Sequence, residues 1–233
     1  MGIKVLMILL QISTTSPDSL NTGAGDATMS IFDLLIKGGY MMYPIILLSI
    51  IAVYIFVERV LTLRRAAETP PGFIDKIKGL VLSGDVKGAQ QSCAQTDTPI
   101  SKMIEKGLAR IGSPLKNIEV SIENVGKIEI YKLEKNLGLL ATISGAAPML
   151  GFLGTVLGMI QAFIAIAQEE GSVSPKLLSE GIYEAMITTA AGLFVGILAY
   201  LGYNYLVTRV QKVVHSMEFS SIDFIDLLQK PKS

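Results

Sequence analysis

Residues Ile182–Gly196 read IYEAMITTAAGLFVG. They open an apolar run, Ile182 to Val207, that is long enough to cross a bilayer, which takes about 17–25 apolar residues. The run nevertheless carries a carboxylate, Glu184, and two adjacent threonines, Thr188 and Thr189. A charged side chain at mid-membrane costs on the order of 2.5–3.5 kcal/mol on insertion scales. Leucines would avoid that cost, so the polar groups need a reason.

The remaining sequence sets this run among others of its kind. The 233 residues are 50% hydrophobic and 17% charged, with a mean hydropathy of +0.51, whereas soluble domains average about 25% charged residues. Tyr40–Val57 and Leu137–Ala167 are of membrane length as well and, unlike the first run, carry no charge. A formal net charge of +0 argues against a nucleic-acid binder driven by phosphate neutralisation. Cys93 is the single cysteine; it excludes an intramolecular disulfide framework or a multi-cysteine metal site and reads as an inert packing or surface thiol. His215 has no companion ligands and reads the same way. No phosphate loop, nucleophile elbow or paired catalytic carboxylates occur, so no enzyme, metal or cofactor is expected.

Basic residues orient the spans. Thirteen Lys or Arg lie between Glu58 and Asn136, and four follow Val207; two precede Tyr40 and one lies in 168–181. By the positive-inside rule the chain divides into an outer N-terminal arm (1–39), a first span (40–57), a cytoplasmic helical loop (58–136), a second span (137–167), a short outer connection (168–181), a third span (182–207) and a cytoplasmic C-terminal helix (208–233). The opening MGIKVLMILLQIS reads as either a signal peptide or a membrane-skimming arm, and Ser13–Ser30 as a linker. Glu58-Arg59, at the inner end of the first span, reads as a surface ion pair that anchors it, with Arg64 and Arg65 close behind.

The periodicity is helical throughout. Ser113 and Pro114 supply an N-cap and a first helical residue. From there Leu115, Ile118, Ile122 and Val125 form a stripe that predicts one unbroken helix into the second span, roughly 80 Å over about fifty residues. Val207, Val210, Val214, Met217, Phe224 and Leu228 form a similar stripe beyond the third. Such stripes need each other or further copies of the chain. The fold class is therefore an all-α membrane protein of three transmembrane helices with long cytoplasmic helical extensions, assembled as an oligomeric bundle.

Two narrow faces of small residues stand out. Gly151, Thr155, Gly158 and Ala162 share one on the second span; Ala185, Thr189, Gly192, Gly196 and Ala199 share one on the third. Small faces let helices pack closely in lipid. Both also carry a threonine near mid-helix, and Pro148 deprives one backbone carbonyl of its donor. At roughly 18 Å and 12 Å from the outer ends, Thr155 and Thr189 suit either helix packing or a wet layer of a shared lumen. Glu184, about one turn from the expected helix start, suits an outer mouth, where the positive helix end favours its charge.

ERVLTLRR (Glu58–Arg65), APMLGFLGTVLGM (Ala147–Met159) and GIYEAMITTAAGL (Gly181–Leu193) together resemble the MotA/TolQ/ExbB proton channel family, in its three-helix ExbB/TolQ branch. The resemblance covers about residues 30–230, and four-helix motor stators fit less well. It implies a pentamer around a lumen that holds a dimer of a single-span ExbD/TolR-type partner, whose membrane Asp carries the proton. Thr155, Thr189 and Glu184 match family positions beside that Asp, whereas Thr188 departs from the pattern. Proton flow in such a bacterial inner-membrane assembly would move the inner dimer and pull on a TonB/TolA-type envelope protein.

Overall fold

The computed structural model describes residues 38–68, 70, 72–168 and 175–229. The readings for the arm before Gly38 and for residues 169–174 lie outside them. Among the described residues every element is an α-helix. The first, α1 (Met42–Ala67), starts where the Met42 amide donates to the Gly39 carbonyl at 3.2 Å. It stops just short of Pro70, whose ring cannot continue a helix, and Arg64 and Arg65 occupy its last turn, where cations suit the dipole.

Four helices follow: α2 (Phe73–Leu82), α3 (Val86–Ala94), α4 (Pro99–Leu108) and α5 (Leu115–Glu134). Their starts are written in the sequence. Asp85 accepts the Gly88 amide at 2.9 Å, and Thr98 and Ser101 cap each other's amides in front of Pro99. The α5 start falls one residue later than expected. Pro114, extended at ψ 137, is the cap, and its carbonyl receives the Asn117 amide at 2.8 Å.

The expected unbroken helix from Leu115 into the second span is corrected by a break at Lys135–Asn136. Asn136 has φ 65, a left-handed backbone that asparagine tolerates better than most residues. The next helix, α6 (Leu137–Gln168), restarts as Leu140 donates to the Asn136 carbonyl at 3.2 Å. Ending α5 at Glu134 strips its last carbonyls of intrahelical donors, and Arg59 supplies one by donating through Nη1 to the Lys132 carbonyl at 3.0 Å. Arg59 is thus buried at 4% exposure, not the surface partner expected from the sequence. Its charge is met by Glu58, which accepts from Nε at 2.7 Å. Arg64 and Arg65 are exposed.

The last helix, α7 (Pro175–Gln229), has 55 residues, or about 82 Å at 1.5 Å per residue. It pairs with α6 and packs on α1, α4 and α5. From the end of the apolar run onward its buried line is Leu206, Val210, Val213, Met217, Ser220 and Phe224. Val207, Val214 and Leu228, also members of the expected stripe, pack at its edge. Phe224 reaches Gly107 of α4, where an added Cβ would meet both Phe224 and Ile122 at 2.8 Å. Cys93 is buried in the same cluster, and burial pushes its thiol up to about 12, so it is a packing residue. Three helical stretches are long and apolar enough to cross a membrane, and only 22–28% of their most apolar windows is buried. The chain is a multi-pass membrane protein, with most of each span left for lipid or further protein.

Candidate functional site

The α6–α7 seam is built by what its glycines leave out. A Cβ on Gly192 would stand 2.5 Å from the Ala147 carbonyl oxygen, and one on Gly151 would stand 3.0 Å from that of Thr188. Gly158 faces Ala185, Gly181 faces Ala162, and Gly196 faces the Pro148 ring. Pro148, Gly151, Gly158, Ala185, Gly192 and Gly196 therefore all lie in one contact inside a single chain. Gly154, which forms a small-xxx-small pair with Gly158 in the sequence, joins them, as does Gly181.

The hydroxyls sit on this seam in different ways. Thr189, half-buried, donates through Oγ1 to the Gly151 carbonyl at 2.9 Å. In a regular helix that carbonyl also receives the Thr155 amide, so the two threonines meet at one acceptor. The Thr155 hydroxyl turns back onto its own helix, 2.6 Å from the Phe152 carbonyl. Thr188 is 1% exposed. Its Oγ1 lies 2.8 Å from the Glu184 carbonyl and 3.1 Å from the Gly38 carbonyl. That second bond ties α7 to the lead-in of α1, and it gives the doublet a purpose that the sequence did not reveal.

Glu184 is half-buried, and its carboxylate lies against Gly39. Gly39 has φ 63, and a Cβ there would collide with Glu184 Oε1; both conditions require glycine. Because α7 begins at Pro175, Glu184 stands nine residues inside it. The macrodipole argument is corrected accordingly, since that effect fades within the first turn. Gly38, Gly154, Gln161, Glu184 and Thr188 line a cavity of about 90 Å³, which is room for a few waters. The Gly38-Gly39 doublet ahead of the first span was the one sequence signal for this closure.

Chemically, the arrangement offers a carboxylate, an amide and hydroxyls along a pair of otherwise apolar helices. Each hydroxyl can donate or accept. Among the described residues no Asp, Lys or Arg lies between Leu137 and Gln168 or between Gly181 and Thr208. Groups of this kind suit the hydration and positioning of a proton or cation better than its relay.

Residues 95–219 match the MotA/TolQ/ExbB proton channel family. The chain is 30% identical to a protein of Methanothermobacter thermautotrophicus named as an ExbB homologue, over 86% of this chain and 68% of that one. It is 27% identical to the biopolymer transport protein exbB1 of Vibrio cholerae over 81% and 84%. A shorter stretch, 36% of this chain and 37% of the other, is 39% identical to the Tol-Pal system protein TolQ of Haemophilus influenzae.

Proposed function

The chain belongs to the MotA/TolQ/ExbB proton channel family, and on that premise we propose that it is the channel-forming subunit of an inner-membrane motor of ExbB/TolQ type. Five copies would surround a lumen, a dimer of a single-span ExbD/TolR-type partner would supply the membrane Asp, and proton flow would do work on a TonB/TolA-type envelope protein. The N-terminus would lie in the periplasm and the C-terminus in the cytoplasm. The observation that carries this reading is the Thr189 hydroxyl bonded across the seam to the Gly151 carbonyl, one turn from Thr155, on spans whose described residues include no Asp, Lys or Arg. Hydroxyls there would hydrate the partner carboxylate as it gains and loses its proton. Glu184, beside its water-sized cavity, would draw cations to the outer mouth. A proton falling through 100 mV releases about 2.3 kcal/mol.

One observation favours a second reading, in which the chain is a passive scaffold. The Thr189 hydroxyl is already satisfied within one chain, as a packing threonine would be. The variants Thr155→Val and Thr189→Val separate the two. With the partner co-expressed, we expect proton flux into vesicles to fall at least about tenfold, the scale of one lost hydrogen bond to a charged group, while the assembly stays intact. Unchanged flux in both variants would leave only the scaffold.

A further inference from the structure

Two cavities that play no part in the seam lie between α1 and α7 and share one residue, Tyr205. The first, about 390 Å³, sits where the apolar runs of both helices end. Arg64, Arg209 and Lys212 line it above a floor that includes Leu63, Leu206 and Val213. Among the described residues none of these three cations has a carboxylate within ion-pair distance. The one carboxylate on the rim is that of Glu68, at the exposed end of α1. Arg209 is held in place: its Nε donates to the Tyr205 hydroxyl at 3.1 Å, and its guanidinium carbon lies 5.3 Å from the ring centre. Its remaining N–H groups stay available for another acceptor.

The second cavity, about 410 Å³, continues from Tyr205 into the span and is lined almost wholly by apolar groups such as Val53, Phe56, Leu198 and Ala199. Gly202 lets Phe56 approach, since a Cβ there would stand 3.0 Å from the Phe56 ring. From Leu198 to Lys212 is fourteen residues, or about 21 Å along α7, close to the depth of one leaflet of a bilayer about 40–45 Å thick with its headgroups.

We propose that these two cavities form one binding site for an anionic phospholipid, its phosphate among Arg64, Arg209 and Lys212 and an acyl chain in the groove beyond Tyr205. Charge selects the occupant. Three cations against one carboxylate attract a headgroup of net negative charge and repel the ammonium of a zwitterionic one. Place selects it as well, because the cationic pocket lies at the boundary where headgroups sit and the apolar groove lies where tails sit. The site makes no use of Thr155, Thr189 or Glu184, so it stands apart from the proton-channel reading.

Native mass spectrometry of the full-length assembly in detergent tests this, with phosphatidylglycerol and phosphatidylethanolamine offered at equal concentration. Wild type should retain phosphatidylglycerol preferentially. The double variant Arg209→Gln/Lys212→Gln should lower that retention about tenfold or more, at the scale of two interfacial cations. Arg65→Gln, exposed on the same helix end but outside the cavity, should not change it. Val53→Trp, which fills the apolar groove from an exposed position, should lower retention with the cations untouched. Equal retention of the two lipids, or no loss in the double variant, would overturn the proposal. So would equal displacement by inorganic phosphate, which has no tail, or quantitative cross-linking of Ser216→Cys to a neighbouring copy, which would assign the pocket to a subunit contact.

Discussion

A methyl group at Gly192 would stand 2.5 Å from a backbone oxygen of α6 and 2.9 Å from the Gly151 Cα. Backbone cannot step aside as a side chain can, so Gly192→Ala must part the two helices. We expect a loss of about 1–3 kcal/mol, read as a lower thermal midpoint of the detergent-solubilised protein. Gly79 makes the matched comparison. It lies inside α2, outside the apolar runs, and a Cβ there would meet nothing within 4 Å. Gly79→Ala should stabilise by roughly 0.5–1 kcal/mol through backbone entropy alone. The seam was legible in the sequence because its glycines recur at helical spacing. The Thr188 bond was not, because its partner, the Gly38 carbonyl, lies 150 positions away and belongs to a backbone that no side-chain pattern reports.

The break between α5 and α6 belongs to the scale of the element. Apolar residues keep helical spacing on both sides of it, so periodicity alone predicts a continuous rod. What ends α5 is a pair of residues, Lys135 turned out of the helix at ψ 136 and Asn136 left-handed at φ 65, and so short a break leaves no periodic trace. Asn136→Gly should be neutral or slightly stabilising. Asn136→Val, whose branched side chain resists positive φ, should cost about 1–2 kcal/mol; chemical denaturation of the two variants side by side checks this. Arg59 was misplaced for a related reason. Next to Glu58 and at the end of an apolar run it had every mark of a surface pair. Its partner, the Lys132 carbonyl, becomes free only because α5 stops where it does.

For the whole molecule, the three spans and the helical class were plain from composition and run length, since lipid leaves few alternatives to a helix with satisfied backbone. The register of the stripe beyond the third span was less plain. Val207 and Val214 pack against the core as the stripe predicts, yet its fully buried line runs through Leu206 and Val213. That choice is made by the helices it meets, above all at Gly107, where Phe224 fits because a side chain is missing. Packing partners, not the stripe itself, set the rotation of α7.

Since α7 runs without interruption from Pro175 to Gln229, it holds Glu184 and Thr189 near one end and Phe224 near the other on a single shaft. One unbroken backbone therefore ties the threonine end to the far end, where Lys78 pairs with Asp223 at 2.6 Å. Two glycines inserted after Lys212 would turn everything beyond them by about 200° and lift Met217 and Phe224 out of the cluster they fill. The prediction is a clearly lower thermal midpoint of the detergent-solubilised variant, with the loss concentrated at the Phe224 end, where hydrogen exchange should rise.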